Sequence, residues 1–292
     1  MNSSNTSRKS VFISRLKFGA SLLVALALFA LGMIAMETRM ENATPSLPSP
    51  SHSESNRQDL AILTQRLINT SQADPNLVSL GKVGEEWEKQ LGGIWIPWPA
   101  KAPADQSNPK IDVSAFPADP ASLGKELEKY SSSIRKISES PEQSQLSTSI
   151  SASALIIGAK ISPQSVSIAL PQSSKITSLM TQDVLKRLEE FRQWLEMATS
   201  QKPRDQRGKD LEIIAFLDRV ISDSIHAGTP LTSAPLAKLP STDVKLADLI
   251  SRELISVSGK ADEEQRAALA QTVAFVYLTL SPDTPATPGY QP

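Results

Sequence analysis

Residues 92–99, read GGIWIPWP, put two tryptophans, two prolines and two glycines into eight positions. Prolines that fix φ and glycines that end helices make such a run a rigid loop. The indoles of Trp95 and Trp98 could stack on a sugar ring of a cell-wall polymer or rest at a membrane interface. The same pair also suits a crossover loop packed over helix ends. Carboxylates offer a second chemistry. Glu85, Glu86 and Glu88 cluster around Trp87, Glu189 and Glu190 are adjacent, and Glu212 stands apart. Acid pairs on amphipathic helices are ordinarily solvated faces. The chain has two histidines, His52 and His226. A histidine in the last turn of a helix before Gly228 is favoured there by the helix dipole, which accounts for His226 without a catalytic role.

Most reaction classes lack their residues. A Ser–His–Asp site would have to recruit His226. With no cysteine there is no thiol nucleophile, no iron–sulfur ligand, no disulfide and no lipid-modified cysteine. G-x-S-x-G, the P-loop, G-x-G-x-x-G and H-E-x-x-H are absent. The expectation is therefore a chain without catalytic residues, metal or cofactor, whose contact surface is Trp95 and Trp98.

The element that places all of this is Phe18–Met36, FGASLLVALALFALGMIAM, nineteen residues without a charge. That length spans a bilayer core as a helix. Arg8, Lys9, Arg15 and Lys17 precede it with no acid, so residues 1–17 are expected in the cytoplasm and the bulk of the chain across the membrane. Ala30-Leu31-Gly32 offers a signal-peptidase alternative, cleavage after Gly32, but apolar residues continue to Met36 and suit an uncleaved anchor better. Outside the first 36 residues lie 26 bases and 31 acids, a balance with no electrostatic reason to bind nucleic acid. The expected partners are the membrane, through a single span, and another envelope protein or a cell-wall glycan.

Residues 37–56 are Pro- and Ser-rich and read as a solvated tether. From 57 to 280 the apolar spacing is helical. Leu60, Leu63 and Leu67 form one face. Asp74-Pro75 and Asp119-Pro120 each look like an N-cap followed by proline at the first helical position. They open runs through Leu80, Trp87 and Leu91, and through Leu123, Leu127, Tyr130 and Ile134. A Ser-rich run over 143–161 has small residues on its other faces, which allows close approach of a neighbour. Residues 163–171 read as an extended segment, either a short strand or a crossing loop. Helices follow over 181–199 and 210–226, the latter with so wide an apolar face that a central position is expected. Ser241 or Thr242 is expected to cap the next, and Asp262, Glu263 and Glu264 lie in the first turn of the last. Residues 281–292, ending PDTPATPGYQP, read as disordered. The fold class is all-α: an antiparallel helical bundle behind one transmembrane helix.

From Gly84 to Pro99, a helix running through Trp87 and Leu91 into LGGIWIPWP, the chain resembles bacterial cell-envelope proteins that couple an exported anchor or lipoprotein signal to an all-helical, ferritin-like domain. The resemblance covers some thirty residues. A binding or structural role is expected from the anchor, the tether and a good core with hardly any residue suited to acid–base or metal work. The resemblance itself implies a helical bundle outside the membrane without metal-dependent activity. It departs from lipoprotein relatives in lacking the lipidated cysteine, and from working ferritins in lacking the paired Glu-x-x-His ligands. The alternative is a degenerate ferritin-like metal-binding protein or enzyme using Glu85, Glu88, Glu189 or Glu212.

Overall fold

Polar caps set the start of most helices in this computed structural model, which describes residues 50–98, 100, 102, 107–231 and 245–291. Ser51 accepts from Glu54 N (3.1 Å) to open α1, His52–Ala73. Asp74 accepts from Asn76 N at a single 3₁₀ turn, Pro75–Leu77, that leads into α2, Val78–Leu91. Asp119 and Ser140 cap α3, Pro120–Ile134, and α4, Pro141–Ile161, each with proline in the first turn. Thr181 caps α5, Gln182–Ser200, and α6 spans Gly208–His226. After α7, Leu246–Val257, Asp262 and Gln265 form a reciprocal capping box on α8, Glu263–Leu280.

Several boundaries differ from expectation. The tether cannot reach residue 56, because α1 already begins at His52 under the Ser51 cap. The Ser-rich run expected from 143 begins two residues earlier, at Pro141, whose missing N–H costs nothing in a first turn. Residues 163–171 form a crossing loop with Val166 buried and no strand. Ser241 and Thr242 lie outside the described residues, and α7 starts after Lys245 with no side-chain cap. The run Phe18–Met36 also lies outside them. Among the described residues the fold is all-α, and no helix is long and apolar enough to cross a membrane.

The chain divides into two compact units, residues 1–48 with 97–108, and residues 49–96 with 109–292. All eight helices among the described residues belong to the second. Its apolar side chains gather in two cores. The first joins α1–α3 through Leu60, Leu67, Leu80, Trp87, Leu123 and Leu127. Here Trp87 stacks on Tyr130 with ring centroids 5.1 Å apart, and Tyr130 Oη meets Thr64 Oγ1 at 2.8 Å. The second core joins α5–α8 through residues such as Leu188, Phe216, Leu254 and Val273.

One helix serves both. From α4, Ile150, Ala154 and Ile157 enter the first core while Ala152, Leu155 and Ile156 enter the second. Every residue from Ser147 to Gly158 is buried. The central position expected for residues 210–226 therefore belongs to α4; α6 leaves Leu211 and Ile225 exposed. Small side chains make this possible. A Cβ on Gly158 would meet Val166 at 3.4 Å and Leu127 at 3.5 Å, and one on Gly124 would come within 2.9 Å of Ser162. An unpaired buried hydroxyl costs about 1–3 kcal/mol, and the serines of α4 avoid it. Ser151 pairs with Ser131 (2.7 Å), while Ser149 and Ser153 donate to Pro288 O (2.8 Å) and Pro285 O (2.6 Å).

Those last two bonds overturn the reading of residues 281–292 as disordered: residues 281–291 lie as a strap along α4. Lys160 Nζ donates to Pro282 O, Asp283 O and Thr284 Oγ1. Trp87 Nε1 donates to Ala286 O at 2.8 Å. Ala286 packs on the first core and Tyr290 on the second. Pro282, Pro285 and Pro288 carry no N–H of their own, and the helices supply donors to the strap's carbonyls.

Candidate functional site

The aromatic loop begins where α2 runs out of side chains that could continue it. Gly92 and Gly93 both take positive φ, 81° and 67°, and Gly93 N donates back to Glu88 O (3.0 Å). Arg57 on α1 then ties the loop down. Its Nη1 donates to Leu91 O (2.5 Å) and Gly93 O (2.9 Å). The other face of the same guanidinium makes a two-pronged pair with Glu54, Nε to Oε2 at 2.8 Å and Nη2 to Oε1 at 2.7 Å. Gln58 completes the clamp, donating to Glu54 Oε1 (2.8 Å) and accepting from Trp95 N (2.9 Å). The Arg57 pairing first, and then the Gln58 bond, lowers the Glu54 carboxyl to about 2.

With its backbone held this way, Trp95 is 48% exposed, beside an equally exposed Ile96. A large apolar surface fixed on a tied loop, not tucked into the core, is what a contact residue requires. Trp98 belongs to the other compact unit. Its backbone makes a reciprocal pair with Asn108 of the same unit: Trp98 N to Oδ1 at 3.0 Å and Nδ2 to Trp98 O at 2.9 Å. Glu54, Arg57, Gln58 and Asn108 escaped the sequence reading. The i, i+3 and i, i+4 spacing of the first three is visible in the chain, but nothing there links position 57 to positions 91–93.

The carboxylates do not form a centre. Glu85, Glu86 and Glu212 are exposed and Glu88 is partly so. Glu189 is engaged by Arg192, Nε to Oε2 at 2.8 Å and Nη2 to Oε1 at 2.7 Å, and this pairing holds its carboxyl below the usual range. Among the described residues no three histidine, aspartate or glutamate side chains come together in a way that could hold a metal ion. The donor set thus does not fit the iron site of a working ferritin. His226 ends α6 with Nδ1 2.8 Å from Ser222 O, and His52 is the exposed first residue of α1. Trp87, the indole nearest the acidic cluster in sequence, is fully buried. No protein-family model, curated protein or solved structure matches this chain.

Proposed function

We propose that this is a single-pass membrane protein of the cell envelope whose helical part lies outside the membrane and works by binding, as a structural or accessory component. Its helices act as an antiparallel bundle that carries the aromatic loop. The partner is a cell-wall glycan or another envelope protein, met at Trp95 and at Trp98, each a contact in its own right. The observation that supports this best is the exposed Trp95 on a loop held by Glu54, Arg57 and Gln58. Delivery to the outside rests on the uncharged Phe18–Met36 run behind four basic residues. The metal-binding alternative has no side-chain cluster to rest on among the described residues.

Full-length protein in detergent, with and without W95A/W98A, tests the binding reading against purified cell-wall sacculi and against native-host membrane extract. Loss of both tryptophans should weaken retention at least about tenfold, as removal of an aromatic hot spot does, with helical circular dichroism unchanged. Undiminished retention on both would end the aromatic-contact reading. Protease treatment of intact cells tests the location separately: the part beyond residue 50 should be digested.

A further inference from the structure

Between α3, α4 and α8 lies a cavity of about 410 Å³ whose charged lining is lopsided. Lys125 and Lys129 sit one turn apart on α3, and Arg135 closes the same helix; Glu128 is the one acid among the lining residues. None of the three cations has a carboxylate within ion-pair distance among the described residues, in a chain whose part beyond residue 36 is acidic overall. Ser132 and Gln271 add hydrogen-bonding groups, and Leu155 and Ala267 add apolar surface.

The guanidinium of Arg135 is held for this task. Nη1 is committed to Ser131 O (2.8 Å), Ser131 Oγ (3.1 Å) and Ser151 Oγ (2.8 Å), while Nε is buried without a partner. Behind it Arg266, itself buried, donates to Arg135 O (2.9 Å) and Ala261 O (2.7 Å), and its Nε is likewise unpartnered. Burial disfavours the charge on both; the field of Glu263 offsets part of this at each, with Asp262 adding to it at Arg266, while Arg266 adds repulsion at Arg135. Neutral serines and carbonyls give these guanidiniums their hydrogen bonds, and among the described residues neither has a carboxylate within ion-pair distance. A partly buried charge with no carboxylate in direct contact is costly, and Arg135, which lines the cavity, is where a ligand can supply an opposite charge. The Ser131–Ser151 pair beside Arg135 is not a nucleophile with its base, because an arginine does not give up its proton at neutral pH.

We propose that this cavity is a binding site for a phosphomonoester. Two lysines and an arginine against one glutamate match the charge of about −1.5 to −2 that such a group carries near neutral pH. Arginine and lysine are the side chains that grip phosphate oxygens. The volume is that of a small-molecule site, larger than phosphate alone fills. The site stands apart from the aromatic loop, and neither reading depends on the other.

Calorimetric titration of the full chain in non-ionic detergent at low salt tests it with three probes: inorganic phosphate, glycerol 3-phosphate, and dioctanoyl phosphatidic acid carried in the micelles. Binding with a dissociation constant below about 1 mM, weakened about tenfold or more by K125Q/K129Q and unchanged by the charge-matched surface control K186Q/K209Q, is the expected result. Preference for glycerol 3-phosphate identifies a soluble ligand, and preference for phosphatidic acid a lipid headgroup. Failure of all three probes to bind, or equal weakening by the control pair, overturns the proposal.

Discussion

Glu54 shows how much of the loop's geometry hangs on one ion pair. Its carboxyl is held at about 2 by Arg57 and Gln58, against 4.5 for the isolated group. A folded-state value below the unfolded one means that the pair's contribution is fully present above pH 4.5. It fades as the pH falls from 4.5 through 2. The side chain is 40% exposed, so the pair is worth about 0–1 kcal/mol, as exposed ion pairs are. Its effect is positional, because the same guanidinium holds Leu91 O and Gly93 O. An NMR titration of the Glu54 carboxyl should show a midpoint near 2 in the native chain. In R57Q the midpoint should move up by more than one unit, toward the usual ~4.3 of a glutamate. A native midpoint near 4 would mean that the pair does not form in solution. The tryptophans were legible in the sequence as unusual residues, but the clamp was not, because its bonds depend on how α1 meets α2.

Among the elements, the strap of residues 281–291 is the one that composition misdescribed. Proline, threonine and aspartate gave the stretch too little apolar surface to read as folded. Its attachment comes instead from donors on other elements: Ser149, Ser153 and Lys160 on α4, and Trp87 Nε1 on α2. No property local to the strap announces them. Its far end is fitted tightly. Gly289 has φ of 75°, and a Cβ there would lie 2.5 Å from the backbone of Ser251. Gly289→Ala combines left-handed strain of about 1–2 kcal/mol with that overlap. It should speed hydrogen exchange along the strap, beginning with Tyr290, while α5 and α6 keep their protection. Removing residues 281–291 altogether should open Trp87 Nε1 to water and shift indole fluorescence to longer wavelength. An unchanged exchange rate at Tyr290 in the glycine variant would show that the strap is not seated this way.

For the molecule as a whole, helical spacing made the all-α class legible, because leucines and isoleucines at steps of three and four have no strand reading. The sharing of α4 between two cores was not legible, for a physical reason. A helix buried on every side has no polar face to contrast with its apolar one, and here serine, alanine and glycine fill the faces that approach neighbours closely. α6 looked central because its large apolar side chains cover so much of its circumference, whereas the serines of α4 read as polar. This arrangement predicts how the chain unfolds. Ile150 faces the first core and Ile156 the second, each fully buried, so either change to alanine should cost about 2–5 kcal/mol. Because both side chains stand on one continuous helix, loss of either should lower protection in both cores together. Hydrogen exchange read separately over α2 and α6 under mild denaturant should therefore show matched free energies in the native chain. Both should fall by similar amounts in Ile150→Ala and in Ile156→Ala. If Ile156→Ala loosened α5–α8 and left α1–α3 protected, the two cores would be independent, and α4 would be a spacer between them instead of their common wall.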